Sequence, residues 1–207
     1  YEKALAIIPK ENIFGPWHQS LALGKTSEAV ASFKKISDEI YPEDFLKLRD
    51  LAILQYLARQ FVEAIQTCDK ILELAPSFSE AFRIKGNIFS AQHQPDSAMK
   101  FFNKAAALGN DWGRLLTLTI LPQVMKMEEA RKIFLTAESL NPAAIPAMGR
   151  ALIYHSLGEP DKAFEWLNKS YEQKDFWLAS LRVDPMWDPM RSDARFQKLM
   201  KKMNFPD

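Results

Sequence analysis

"VEAIQTCDKILELAP", residues 62–76, decides the fold. Ala64, Cys68 and Ile71 stand at steps of four and three, the spacing that puts side chains on one face of an α-helix. A small alanine lets a neighbouring helix come close, and the bulkier group one turn on fills the space beside it. Pro76 has no amide proton to continue the ladder and ends the helix.

The same pattern recurs on both sides. "SEAVASFKKISDEIYP" (27–42), "DSAMKFFNKAAALGN" (96–110), "EEARKIFLTAESLNP" (128–142) and "DKAFEWLNKSYEQKD" (161–175) each carry an early alanine: Ala29, Ala98, Ala130 and Ala163. Four residues later stand Phe33, Phe102, Phe134 and Leu167, then Ile36, Ala105, Ala137 and Ser170 after three more. Each segment stops at a proline, asparagine or aspartate, residues suited to turns. Self-similarity at roughly 34 residues is the signature of stacked repeats.

A second apolar-periodic stretch precedes these helices. "FLKLRDLAILQYLARQ" carries Leu48, Leu51, Ala52 and Gln55, "AFRIKGNIFSAQHQ" carries Phe82, Gly86 and Phe89, and "IPAMGRALIYHSLGE" carries Ala147, Ala151 and Tyr154. Gly24 and Gly158 fall at the turns between paired helices, and Ser77 with Glu80 reads as a capping box. The unit is a helical hairpin.

That combination resembles the tetratricopeptide repeat: a small residue midway in the first helix, alanine early in the second, an apolar residue four on and a terminal proline. The resemblance covers about residues 1–175 and implies an all-α, right-handed α-solenoid of about five hairpins. Lys85 and Arg150 stand where the family usually has leucine, Pro16 and Trp17 interrupt the first unit, and the unit after Asn110 is about two residues short. "YEKALAIIP", with Ala4 and Pro9, fits a second helix without its partner. We expect either an earlier helix in a longer protein or a packed N-terminal end, a homodimer being one form of it.

After Asp175 the period fails. Asp184-Pro185 and Asp188-Pro189 each join a capping side chain to a proline suited to a first helical turn, and Ser192 with Asp193 offers another cap. Two short turns and a helix are expected. Phe196, Leu199 and Met203 would lie across the last repeat, with Trp177, Trp187 and Phe205 filling the seam. Residues 176–207 thus form a C-terminal capping segment of the same domain as the array of 1–175. A metal loop is the rival reading of the three aspartates, but the stretch has no glycine for the sharp turn such loops use. The tail also resembles a closing segment found after tetratricopeptide arrays in bacterial signalling proteins. That resemblance implies a bacterial C-terminal fragment beside a DNA-binding, cyclase or kinase domain.

Of 207 residues, 27 are basic and 26 acidic, so a net charge of +1 provides no field for nucleic acid or anionic lipid. No apolar run approaches the ~20 residues of a membrane helix. The single cysteine, Cys68, excludes an internal disulfide and fits a reducing, cytoplasmic setting. It holds a packed helix position and reads as an inert thiol. "GKTSEA" at Gly24 lacks the partner glycine of a phosphate loop, and His18, His93 and His155 are far apart. Neither an enzyme, a cofactor nor a metal is indicated.

What remains is surface. First helices line the concave face of such solenoids, where extended peptides or partner helices bind. Their second stripes nominate Arg49, Ile53 and Tyr56, then Arg83, Asn87 and Ser90, then Met148, Leu152 and His155. Arg83 and Asn87 resemble part of the clamp by which some family members hold a peptide carboxylate, though Glu80, Ile53 and Ile84 break the pattern. A solvated helix face is the plainer reading, under which Arg83→Ala stays near the ±0.5 kcal/mol typical of surface sites. The function expected is a protein-interaction scaffold. The alternative is a regulatory or sensor module, which should hold a closed pocket with a few converging polar groups where a scaffold holds an open trough.

Overall fold

The computed structural model describes residues 24–40 and 43–204. Expectations that rest on residues 1–23, on Pro42 or on Phe205 lie outside that range, among them the unpaired first helix, the homodimer end and His18. Among the described residues there are ten α-helices, three short 3-10 stretches and no strand.

The helices run α1 (Thr26–Ile40), α2 (Phe45–Leu57), α3 (Phe61–Leu74), α4 (Ser79–Ala91), α5 (Pro95–Ala107), α6 (Asp111–Val124), α7 (Met127–Leu140), α8 (Ala147–Ser156), α9 (Pro160–Glu172) and α10 (Ala194–Lys202). Pairs α2–α3, α4–α5, α6–α7 and α8–α9 are hairpins, and each hairpin stacks on the next. First helices also touch one another along the stack, α2 on α4, α4 on α6 and α6 on α8. The architecture is an all-α solenoid of helical hairpins.

Packing follows the repeated alanines. Ala64, Ala98, Ala130 and Ala163 are at most 1% exposed, as are Cys68, Phe102, Phe134 and Leu167 one turn later. Second helices bury one stripe, whereas α2 is buried on nearly every side because α1, α3 and α4 all pack on it. The stripe Phe82, Gly86 and Phe89 meets α5: the Phe101 ring stacks on Phe89 at 5.2 Å and on Phe82 at 6.5 Å.

The turns show which residue types the hairpin tolerates. Gly24 and Gly158 adopt φ of 72° and 71°. Arg59 and His93 hold the matching places in the intervening units at φ 62° and 56°, a conformation that is uncommon without glycine. Between α6 and α7 the chain instead passes through an extended Met125, as the shortened unit there requires. The expected capping box does not form: the N-cap of α4 is Phe78, and no side chain caps it.

The two departures at the family's leucine position have different solutions. Lys85 reaches Asp69 at 2.6 Å and lies 5.0 Å from the Phe101 ring centre. Arg150 is enclosed between repeats. It donates to Glu138 at 2.7 Å and to the carbonyls of Pro142 and Ile145, with Trp166 4.5 Å from its guanidinium.

The tail makes two 3-10 turns, Phe176–Ser180 and Pro185–Met190, before α10. Asp175, Asp184 and Asp193 each accept an amide hydrogen bond at the start of a turn or helix, from Trp177, Met186 and Arg195. Asp188 instead receives Arg59 and Arg191 at 2.9 and 2.7 Å. Phe196, Leu199 and Met203 are buried, and Arg195 joins α10 to Asp161 at the start of α9. The segment before α10 extends well beyond the last hairpin. Trp187 is 1% exposed, the second 3-10 turn packs on α4, and Tyr56 of α2 donates to Asp184 at 2.8 Å. Met186 packs against both hydrophobic clusters of the array, one built from α1–α4 and the other from α5 onward.

Candidate functional site: two compartments beside the C-terminal tail

The faces of α2, α4, α6 and α8 that a solenoid would leave open are partly covered by residues 177–191. Arg191 shapes this cover. Its guanidinium donates to the carbonyls of Leu181, Arg182 and Asp184 at 3.2, 2.5 and 2.9 Å, folding 181–191 into one compact piece. Arg182 lies against Gly24, where a Cβ would stand 3.3 Å from its Nε. The cover converts one groove into two compartments.

The first is a cavity of about 70 Å³ beneath the tail. Glu80, Arg83 and Asn87, at helical steps of three and four on α4, form one wall, and Trp177, Ser180, Asp184 and Trp187 form the opposite one. Trp112, Leu116 and Met148 complete it from α6 and α8. Trp112 and Trp177 meet edge to face at 6.3 Å. Asn87 is 6% exposed and its Oδ1 has no hydrogen-bond partner among the described residues. The Arg83 side chain is 12% exposed, and its ionic partner among them is Glu80 at 3.7 Å.

Burial pushes the Asp184 carboxyl above its usual range, against the pull of the Met186 amide, the Tyr56 hydroxyl and the nearby arginines. Burial, reinforced by Asp184, holds the Tyr56 phenol well above its ordinary value, so it stays a donor.

The second compartment is a cleft of about 550 Å³ on the other side of the tail. Its walls are the C-terminal ends of α4, α6 and α8, with Ser90, His93, Thr119, Gln123 and His155, faced by Pro185 and Pro189 of the tail. Leu152 and Met186 line both compartments. Burial lowers the pKa of His155, which favours the neutral imidazole.

The nine residues nominated from sequence divide accordingly. Arg83, Asn87, Met148 and Leu152 line the cavity, while Ser90, Leu152 and His155 line the cleft. Arg49 pairs with its neighbour Asp50 at 2.7 Å, Ile53 packs half-buried on the N-terminal cluster, and Tyr56 is engaged by the tail. These three line neither compartment. Residues not nominated from sequence are Trp112, on the shortened unit's first helix, and Trp177, Asp184 and Trp187 of the tail. The only sign of the last three was the density of aspartate and tryptophan in a stretch without a repeat.

Residues 126–176 match a family model described as tetratricopeptide repeat. The fold resembles the crystal structure of MamA, with a TM-score of 0.50, 18% identity and coverage of 79% of this chain and 95% of that one. It also resembles a chain in the crystal structure of the APC/C hetero-tetramer Cut9-Hcn1, with a TM-score of 0.50, 16% identity and coverage of 98% of this chain and 51% of that one. No curated protein matches the chain in sequence.

Proposed function

We propose that this chain, which carries a tetratricopeptide-repeat domain, works as a protein-interaction scaffold whose cleft takes an extended segment of a partner protein. The observation that carries the reading is the cleft itself. About 550 Å³ of space runs across three successive first helices, and Ser90, Leu152 and His155 are among the residues that line it. Such sites bind extended segments through polar side chains at the rim and apolar ones at the base. Thr119 and Gln123 are polar members of this lining, and Leu152 and Met186 apolar ones. Cut9 is seen assembled with a second protein, Hcn1, and partner binding is the use we carry over to this solenoid. The tail's likeness to closing segments of bacterial signalling arrays supports a place beside a DNA-binding, cyclase or kinase domain.

The test is a peptide-display selection on the folded chain, repeated with variants. Peptides that bind should lose affinity when Gln123→Arg or His155→Glu narrows the cleft, and should keep it when Lys132→Glu alters α7. The reverse pattern, with binding sensitive to Lys132 and indifferent to the cleft, sinks the reading.

A further inference from the structure

The cavity beneath the tail is a separate feature, and it holds unused binding capacity. Two groups on α4 carry it. Arg83 has five N–H donors in a rigid fork, yet among the described residues its polar partner is a single carboxylate, Glu80, at 3.7 Å, beyond hydrogen-bond range. Asn87 is enclosed with its Oδ1 unmet, and a buried acceptor without a donor is costly enough that native structures rarely keep one. The two side chains lie one turn apart and open on the same space.

The surrounding charges define the ligand class. The lining holds one guanidinium, Arg83, and two carboxylates, Glu80 and Asp184. A purely anionic ligand would meet Arg83 favourably but would face both carboxylates. A purely cationic ligand would leave the guanidinium fork empty. A molecule with both charges meets each: its carboxylate lies along Arg83, and its ammonium donates to Asn87 Oδ1 and offsets the carboxylates of the lining.

Size narrows the class further. The space is about 70 Å³ and partly open to solvent, roughly half the ~150 Å³ of a cavity that admits benzene, so it favours a small molecule whose polar end enters it. Glycine and alanine are the smallest molecules that carry an ammonium and a carboxylate on one carbon. Trp112, Trp177, Leu116 and Met148 provide an apolar side against which a methyl group packs.

We infer that the cavity between α4 and the C-terminal tail is a binding site for a small zwitterionic α-amino acid, with Arg83 holding the carboxylate and Asn87 the ammonium. This goes beyond partner binding in the cleft and stands on different residues. Because the tail forms one wall of both compartments, an occupant also braces Met186, which the cleft shares.

The experiment is titration of the folded chain with glycine and L-alanine, followed by calorimetry and by tryptophan fluorescence, since Trp112 and Trp177 line the site. Saturable binding is expected with one or both amino acids. Binding should weaken at least about tenfold in Arg83→Met and in Asn87→Leu, each verified as folded by circular dichroism. Asn87→Ser, a smaller change, gives the same readout should the leucine fail to fold. Propionate, which has a carboxylate but no ammonium, should bind far more weakly than alanine. Three results would each overturn the assignment: no binding by the folded chain, equal binding by the variants, or propionate binding as well as alanine. Ordered water alone in the cavity corresponds to the first of these. Peptide binding in the cleft is measured separately and survives any of them.

Discussion

A Cβ added to Gly86 would stand 2.4 Å from both Cδ1 and Cε1 of Phe102, so the ring of α5 occupies the space that glycine leaves open on α4. Phe102 is 1% exposed and packed within the core. Helix propensity alone favours alanine over glycine by about 1 kcal/mol, but overpacking costs about 1–3 kcal/mol. Gly86→Ala should therefore destabilise the chain in urea unfolding, while Phe102→Ala should cost about 3–5 kcal/mol as a large-to-small core change. The pair should be non-additive, because once the ring is gone the methyl group fits.

Tyr56 and Asp184 are 128 residues apart in sequence and joined by one hydrogen bond. Tyr56→Phe removes the donor from a carboxylate and should cost about 1.5–3 kcal/mol, the range for hydrogen bonds to charged groups. Thermal unfolding should show the loss.

Asp184 also sets a pH dependence. Its carboxyl is pushed upward in the fold, chiefly by burial, so the folded state binds the proton more tightly than the unfolded state. Stability from this group therefore rises as pH falls through the raised value towards the ordinary one, and declines as pH rises again. Asp184→Asn keeps an acceptor for Tyr56 without the buried charge. Its melting temperature relative to the parent should be more favourable at pH 7 than at pH 4.

Arg150 stands where the family usually has leucine, and the structure gives it Glu138, two backbone carbonyls and the Trp166 ring. Arg150→Ala would leave two backbone carbonyls without their donor and Glu138 with only the Tyr154 hydroxyl. Because Glu138 is partly exposed, the loss should fall below the ~3–5 kcal/mol of a fully buried pair, and chemical denaturation can read it. Arg150→Ala combined with Glu138→Ala should cost less than the two single changes summed.

Burial pushes the Cys68 thiol up to about 12, and the residue is fully enclosed. Reaction with an alkylating reagent near pH 8 should be negligible in the native chain and rapid in denaturant. Fast native labelling would mean that α3 opens locally.

Fold and site were legible to different depths. The alanine series and its partners one turn along were readable because helix packing repeats with the chain, and local spacing fixes which face is buried. The turn at Gly158 was readable too, since a positive φ favours glycine, while Arg59 and His93 reach the same conformation without announcing it. Arg83 was placed among surface residues, where alanine costs little; the tail covers it, and its side chain is 12% exposed. Its substitution therefore belongs with the enclosed polar groups.

Sequence alone determined the repeat, the hairpin and which side of each second helix enters the core, because those depend on residues within a turn or two of one another. Only the tertiary structure decided where the tail goes. Asp184 meets Tyr56 across 128 residues, which no local period records, and Trp187 beside it is buried. That one placement makes the tail a wall of both compartments.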